Sequence, residues 1–226
     1  MARAESKPKT QKRIFIVDDH PVFREGLVSL AKREPAWTVC GEADNAPQAF
    51  TAIERAKPDL VLADIGLQGR SGLELLKDLR AIEADLAVLV ISMHDETLYA
   101  ERALRAGARG YIMKQEPPEK LLEAMRQVLN GQIYLSGPMS ARILNAFTGR
   151  HAKGGSPIAQ LSDRELEILN LIGRGQDSHA IARQLNVSPK TVDAHRGHIK
   201  QKLHIRSGTE LISYAARWVE AESAGV

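Results

Sequence analysis

Short apolar runs at 14–17, 37–43, 60–64, 87–93 and 110–113 punctuate the first half of the chain. Between them the apolar positions recur at helical spacing near 21–33, 46–57, 72–83, 95–106 and 117–130. The run Leu60-Val61-Leu62-Ala63 is apolar throughout, as in a strand buried on both faces of a parallel sheet. Five strands alternating with five helices predict an α/β domain, a doubly wound five-stranded parallel sheet, over residues 13–130. Lys57-Pro58 stops the second helix, Gly107 and Gly131 follow helical segments as C-terminal caps do, and Pro117-Pro118 opens the fifth helix.

After residue 130 the pattern changes. Residues 131–157 read as a connector, with a short helix at 138–147 and a flexible stretch at 149–157 (GRHAKGGSP) rich in turn-formers. Residues 158–223 are helical throughout. Ser162 with Glu165 and Ser207 with Glu210 have capping-box spacing, and Ser188-Pro189 is an N-cap followed by proline at the first helical position. These signals predict helices near 163–173, 178–185, 189–203 and 208–221, a separate all-α domain. Residues 1–12 read as a disordered lead.

Charge sharpens this division. The net charge of +3 says little, but residues 13–130 hold 15 Lys and Arg against 19 Asp and Glu, while 183–206 hold 6 against 1. A mildly acidic half suits cations or protein partners, and the short basic stretch suits nucleic acid. Cys40 is the only cysteine, which rules out an internal disulfide and fits a reducing, cytoplasmic setting. In its apolar run it reads as a small buried thiol. No apolar stretch approaches the ~20 residues of a membrane span, and no apolar segment follows the basic N-terminus as a signal peptide requires.

The chemistry lies at the strand ends. The first strand ends in Asp18-Asp19, the third in Asp64, the fourth in Ser92 and the fifth in Lys114. An Asp-Asp pair alone is commonly a turn and helix cap, and a lone Asp, Ser or Lys is commonplace. Together at successive strand ends, these groups share one edge of a parallel sheet, where such sheets bind ligands. Clustered carboxylates repel unless a cation joins them, and an all-oxygen site open to water suits Mg2+. A carboxylate there can attack phosphorus, with a lysine and a hydroxyl holding the phosphoryl oxygens.

These residues carry a resemblance. IVDDHPVFREGL at 16–27, DLVLADIGLQGRSGLELL at 59–76, VISMHDE at 90–96 and GARGYIMK at 107–114 resemble the receiver domain of two-component response regulators. The resemblance implies a flavodoxin-like fold and Asp64 as phosphoacceptor. It implies Mg2+ held by Asp19, by Asp18 through water, by Asp64 and by the Gly66 carbonyl. Ser92 and Tyr111 would be the switch pair and Lys114 the partner lysine. LSDRELEILNLIGRGQDSHAIARQLNVSPKTVDAHRGHIKQKLHIRS at 161–207 resembles the LuxR-type helix-turn-helix, and the pairing is that of NarL/FixJ-type regulators. A helix-turn-helix places its second helix in the major groove, so Lys190, Thr191, His195, Arg196 and Lys200 are the candidate contacts to double-stranded DNA. Lys202 and Arg206 add charge beyond that helix. His195 has a second reading, as a packed residue of the helical core. Asp193 suits either a cytosine amino group or a cap of its own helix.

The resemblance implies a phosphorylation-switched regulator served by a sensor histidine kinase and binding DNA as a homodimer, with no enzyme activity beyond its own phosphoryl transfer. Two other readings are a phosphohydrolase with an aspartyl nucleophile and a regulator that works by protein contacts alone. The phosphohydrolase pattern has a second acid two residues past the nucleophile, where this chain has Gly66.

Overall fold

The structure, a computed structural model, describes residues 11–67, 71–147 and 157–224. The flexible stretch expected at 149–157 lies outside the described residues except for Pro157, as do residues 1–10 of the expected lead. The chain divides into two units.

The first unit alternates β1 (Lys12–Val17), α1 (Pro21–Ala31), β2 (Trp37–Ala43), α2 (Ala46–Ala56), β3 (Leu60–Ala63), α3 (Gly72–Ile82), β4 (Ala87–Ser92), α4 (Glu96–Ala106), β5 (Gly110–Met113) and α5 (Pro118–Leu129). All strand pairs are parallel, in the order β2-β1-β3-β4-β5. Successive side chains on a strand point to opposite faces. Ile14, Ile16, Leu60, Leu62, Leu89 and Ile91 pack with Leu27 and Leu30 of α1 and Leu121, Met125 and Val128 of α5. The intervening Phe15, Val17, Val61, Ala63, Val88 and Val90 are buried too. Burial on both faces explains why these strands read as continuous apolar runs.

Helix ends follow local chemistry. Asn45 accepts from Gln48 N–H at 2.9 Å and Asp95 from Thr97 N–H at 2.7 Å, capping α2 and α4. Gly107 ends α4 at φ 118°, a left-handed conformation that favours glycine. The expected lead is corrected at its end. Lys12 already belongs to β1, its N–H donating to Ala36 O at 2.8 Å and its ammonium pairing with Asp59. Past α5 the backbone turns at Gly131 and keeps to the sheet edge. Tyr111 N–H donates to Tyr134 O and Tyr134 N–H to Arg109 O, both at 3.0 Å. Cys40 is half-buried on β2, donating weakly to Ile14 O at 3.3 Å, and burial pushes its thiol up.

The second unit holds α6 (Gly137–Phe147), a 3-10 turn (Pro157–Gln160), α7 (Asp163–Gly173), α8 (Ser178–Gln184), α9 (Pro189–Lys202) and α10 (Gly208–Ala224). Ser162 and Glu165 form the complete capping box. At α10, Ser207 Oγ accepts from Glu210 N–H while the Glu210 carboxylate takes the Arg206 N–H. Leu166, Leu169, Ile181, Val192, Ile199, Leu211 and Ala215 form the small core. Gly173 is where α7 meets α10: a Cβ there would run into the Ala215 carbonyl oxygen and Val219 Cγ2. Gly173→Ala is therefore expected to destabilise this unit by about 1–3 kcal/mol, the usual cost of overpacking. Urea unfolding followed by circular dichroism checks this, and an unchanged midpoint contradicts it. Among the described residues no helix is long and apolar enough to cross a membrane.

Candidate functional site

The strand order sets the site. The chain leaves β1 toward β2 on one side and returns to β3 on the other, so the crevice between β1 and β3 opens at their carboxyl ends. Asp18 and Asp19 follow β1 directly, Asp64 follows β3, Ser92 ends β4 and Lys114 follows β5. The ladder extends one residue past each strand, with Asp64 N–H donating to Val17 O and Lys114 N–H to Ser92 O, each at 2.8 Å. Backbone pairing thus holds the bases of these side chains.

Lys114 Nζ lies 2.7 Å from Asp18 Oδ2 and 2.8 Å from Asp64 Oδ2, and none of the three side chains is more than 4% exposed. Its ammonium also stands 4.6 Å from the centre of the Phe23 ring. Burial pulls the Lys114 ammonium toward neutrality, but Asp64 and Asp18 outweigh it and hold its pKa above the ordinary value. Asp64 Oδ1 accepts from Gly66 N–H at 2.8 Å, so both of its oxygens have fixed neighbours.

Three carboxylates and one ammonium leave a charge of −2 in a space largely shut from water. Asp18, Asp19, His20 and Asp64 each offer a ligand atom, all within 4.8 Å of one another. Asp19 Oδ1 is buried with no aligned hydrogen-bond donor among the described residues, although His20 Nδ1 approaches it at 2.7 Å as a charge neighbour. A cluster of net −2 with its ligand atoms this close fits a hard divalent cation. Gly66 meets the site through its N–H.

Burial raises the Asp19 pKa, and Asp64 and Asp18 push the same way against His20. A folded pKa above the unfolded one means that the ionised form weakens the fold. That cost is full above the folded pKa and vanishes as pH falls below the ordinary value of 3.8. Asp19→Asn is therefore expected to raise the melting temperature at pH 7 in the absence of divalent cations, with the gain shrinking toward pH 4. Thermal melts at the two pH values check it; equal gains at both would contradict the charge origin.

Ser92 and Tyr111 are fully buried. Ser92 Oγ accepts from His94 N–H at 3.1 Å, and the Tyr111 hydroxyl donates to His94 O at 2.7 Å. His94 stacks on Tyr99 with ring centres 4.7 Å apart. The β4–α4 loop is thus tied to both switch candidates. His20, Phe23 and His94 escaped the strand-end reading, although His20 stands next to the aspartate pair. Phe23 gives no sign in sequence, since a helical phenylalanine is ordinary core.

In the second unit Asp177 accepts from Ala180 N–H and starts α8, and Ser188 accepts from Thr191 N–H and starts α9 with Pro189 in its first turn. The turn between them uses Asn186 at φ 52°. Val192 and Ile199 bury one side of α9, and Lys190, Thr191, Gly197 and His198 stand exposed. Lys200 is half-buried. A Cβ at Gly197 would meet nothing within 4 Å, so that face is open.

Other polar residues of α9 are tied into the domain itself. Asp193 accepts from Ser178 Oγ at 2.8 Å, and Arg196 donates to that serine oxygen at 3.2 Å, linking α8 to α9. Lys202 is not free charge; its ammonium lies 2.6 Å from Glu165 Oε2. Burial raises the Glu165 pKa, but hydrogen bonds from Lys202 and Ser162 overcome this and hold it below the ordinary value. His195 is half-buried with its Nδ1 enclosed, and burial, then Arg164, push its imidazole below the ordinary range.

Residues 14–126 match the response regulator receiver domain and residues 159–215 match the luxR family of bacterial regulatory proteins. The chain is 37% identical to the oxygen regulatory protein NreC of Staphylococcus carnosus (strain TM300), over 91% of this chain and 97% of that protein. It is 36% identical to the nitrate/nitrite response regulator protein NarL of Escherichia coli (strain K12), over 92% and 95%. Its fold is similar to that of RcsB from Salmonella enterica serovar Typhimurium bound to the promoter rprA in the presence of the phosphomimetic BeF3-. That likeness has a TM-score of 0.64 at 21% identity and covers 91% of this chain and 98% of that one. The parallel sheet with acids at its carboxyl edge, the capped helix-turn-helix and these full-length relatives agree: this chain belongs to the two-component response regulators that join a receiver domain to a LuxR-type DNA-binding domain.

Proposed function

We propose that Asp64 is the phosphoacceptor of this regulator and that its phosphorylation by a partner sensor histidine kinase changes the binding of the chain to double-stranded DNA. The observation that carries the reading is Lys114, whose buried ammonium bridges Asp18 and Asp64 beside Asp19. An Asp64 oxygen attacks phosphorus, a P–O bond forms, and the P–N bond to the kinase imidazole breaks. Lys114 and the Ser92 hydroxyl are the nearby donors for the phosphoryl oxygens. Asp19, Asp64, the Gly66 carbonyl and, through water, Asp18 would hold Mg2+, whose positive charge would let a phosphate approach three carboxylates. Asp64 stays fixed through Gly66 N–H, and burial keeps competing water from the anhydride.

The new charge biases Ser92 and Tyr111, and through His94 the β4–α4 loop, between two pre-existing arrangements. The DNA-binding face is α9, with Lys190 and Thr191 at its groove end and Lys200 toward the phosphates. Arg196 and His195, half-buried on the same helix, are the further candidate contacts. Binding as a homodimer suits paired half-sites.

The test has two readouts. Incubation with acetyl phosphate and Mg2+ should add one phosphoryl mass, and gel shifts against genomic DNA fragments should then tighten. No mass increment would overturn the phosphoacceptor reading; an increment without change in binding would overturn the switch. Lys190→Ala is expected to weaken binding to all sequences alike and to lower the salt slope by about 1 if Lys190 meets a phosphate. An unchanged slope and affinity would exclude that contact.

A further inference from the structure

The second unit holds a cluster of metal-ligating side chains away from the receiver's acidic site. Glu165 of α7 and His195 and His198 of α9 each offer a ligand atom, all within 4.8 Å of one another. From this juxtaposition we propose that the three side chains form a site for a transition-metal dication of the zinc type, distinct from the acidic site of the receiver. Two imidazoles and one carboxylate form a ligand set that zinc takes with water in the fourth position. Imidazole donors favour such ions over magnesium.

The surroundings are organised for it. Ser162 N–H at 2.7 Å and Lys202 Nζ at 2.6 Å both hold Glu165 Oε2, which orients the carboxylate. The other oxygen, Oε1, faces His198 Nδ1 at 3.9 Å. Tetrahedral zinc needs ligand atoms about 3.4 Å apart, a contraction that rotation of the exposed His198 ring can supply. His195 Nδ1 is buried and has no hydrogen-bond partner among the described residues, which is unusual for a buried polar atom. The spacing of three residues puts both histidines on one face of α9. The Glu165 side chain is only 5% exposed and that of His198 is 62% exposed, so the site has a fixed floor and an open mouth. Occupancy would clamp the second half of α9 onto α7.

The test is Co2+ titration of the untagged full chain in excess Mg2+, read by the visible d–d bands of four-coordinate cobalt and by their loss on adding Zn2+. One equivalent should bind, and Zn2+ should raise the melting temperature. His198→Ala and His195→Gln should each weaken cobalt binding by more than the 10–100-fold that even outer-shell partners command. Asp19→Asn should leave it unchanged. His198 is exposed, so its replacement tests the site even if His195→Gln disturbs the core. Equal cobalt affinity in wild type and His198→Ala, loss confined to Asp19→Asn, or no bands at all would overturn the proposal.

Discussion

Asp64→Asn is expected to take up no phosphoryl group from acetyl phosphate while folding as the wild type does. The amide is nearly isosteric, so the buried volume is kept. It is neutral, and its nitrogen lone pair is delocalised, so it lacks the negative oxygen that attacks phosphorus. The cluster charge falls from −2 to −1, which relieves repulsion, and Lys114 keeps Asp18 at 2.7 Å. Stability should therefore hold or rise. The chain should still bind DNA, with the same salt slope, and binding should no longer respond to the phosphodonor. Intact-mass measurement with gel shifts on the same samples reads all of this. Phosphoryl uptake persisting in the variant would move the acceptor to another residue.

Removal of Lys114 has the largest expected effect on stability. Lys114→Ala leaves Asp18 and Asp64 without their shared counter-charge. Breaking a buried ion pair from one side costs about 3–5 kcal/mol, a large share of the roughly 5–15 kcal/mol that holds a domain folded. In the wild type the Lys114 pKa is raised on folding. Its contribution is therefore complete below the unfolded value, about 10.4, and is lost only as pH climbs through the still higher folded value. The wild type should show no dependence on this pair between pH 5 and 8. Mg2+ should also stabilise the variant more than the wild type, since it restores positive charge by binding the folded form. Urea unfolding at pH 5 and pH 8, with and without Mg2+, checks each point. A loss below about 1 kcal/mol would place the pair among weak surface bridges.

Residues differ in how far local pattern revealed them. Asp18, Asp19, Asp64, Ser92 and Lys114 were legible because each follows or ends an apolar run, and parallel strands bring such ends to one edge. Ser162, Ser188 and Gly107 were legible because caps depend on groups within a few residues. The hydrogen bonds of Arg196, Asp193 and Lys202 within the domain had no signal in the sequence. Their partners are Ser178 and Glu165, and Glu165 lies 37 positions from Lys202 on another helix. A helical period marks which face is apolar, but it does not say that a charged residue at the margin of that face is claimed by a neighbouring helix.

The sequence by itself determined two domains, the period and ends of their elements, and the set of polar groups at the sheet edge, since these follow from spacing, turn chemistry and solvation along the chain. The tertiary structure alone decided pairing. The order β1-β3-β4-β5 sets Asp18 and Asp19 beside Asp64 and brings Lys114, 50 residues away, to Asp64 at 2.8 Å. Packing α7 against α9 turns His195 inward and gathers Glu165 to the histidines. The reason is physical: strand order and helix packing choose neighbours across the chain, and in a buried site the neighbour decides whether a charge stabilises the fold, strains it, or waits for a cation.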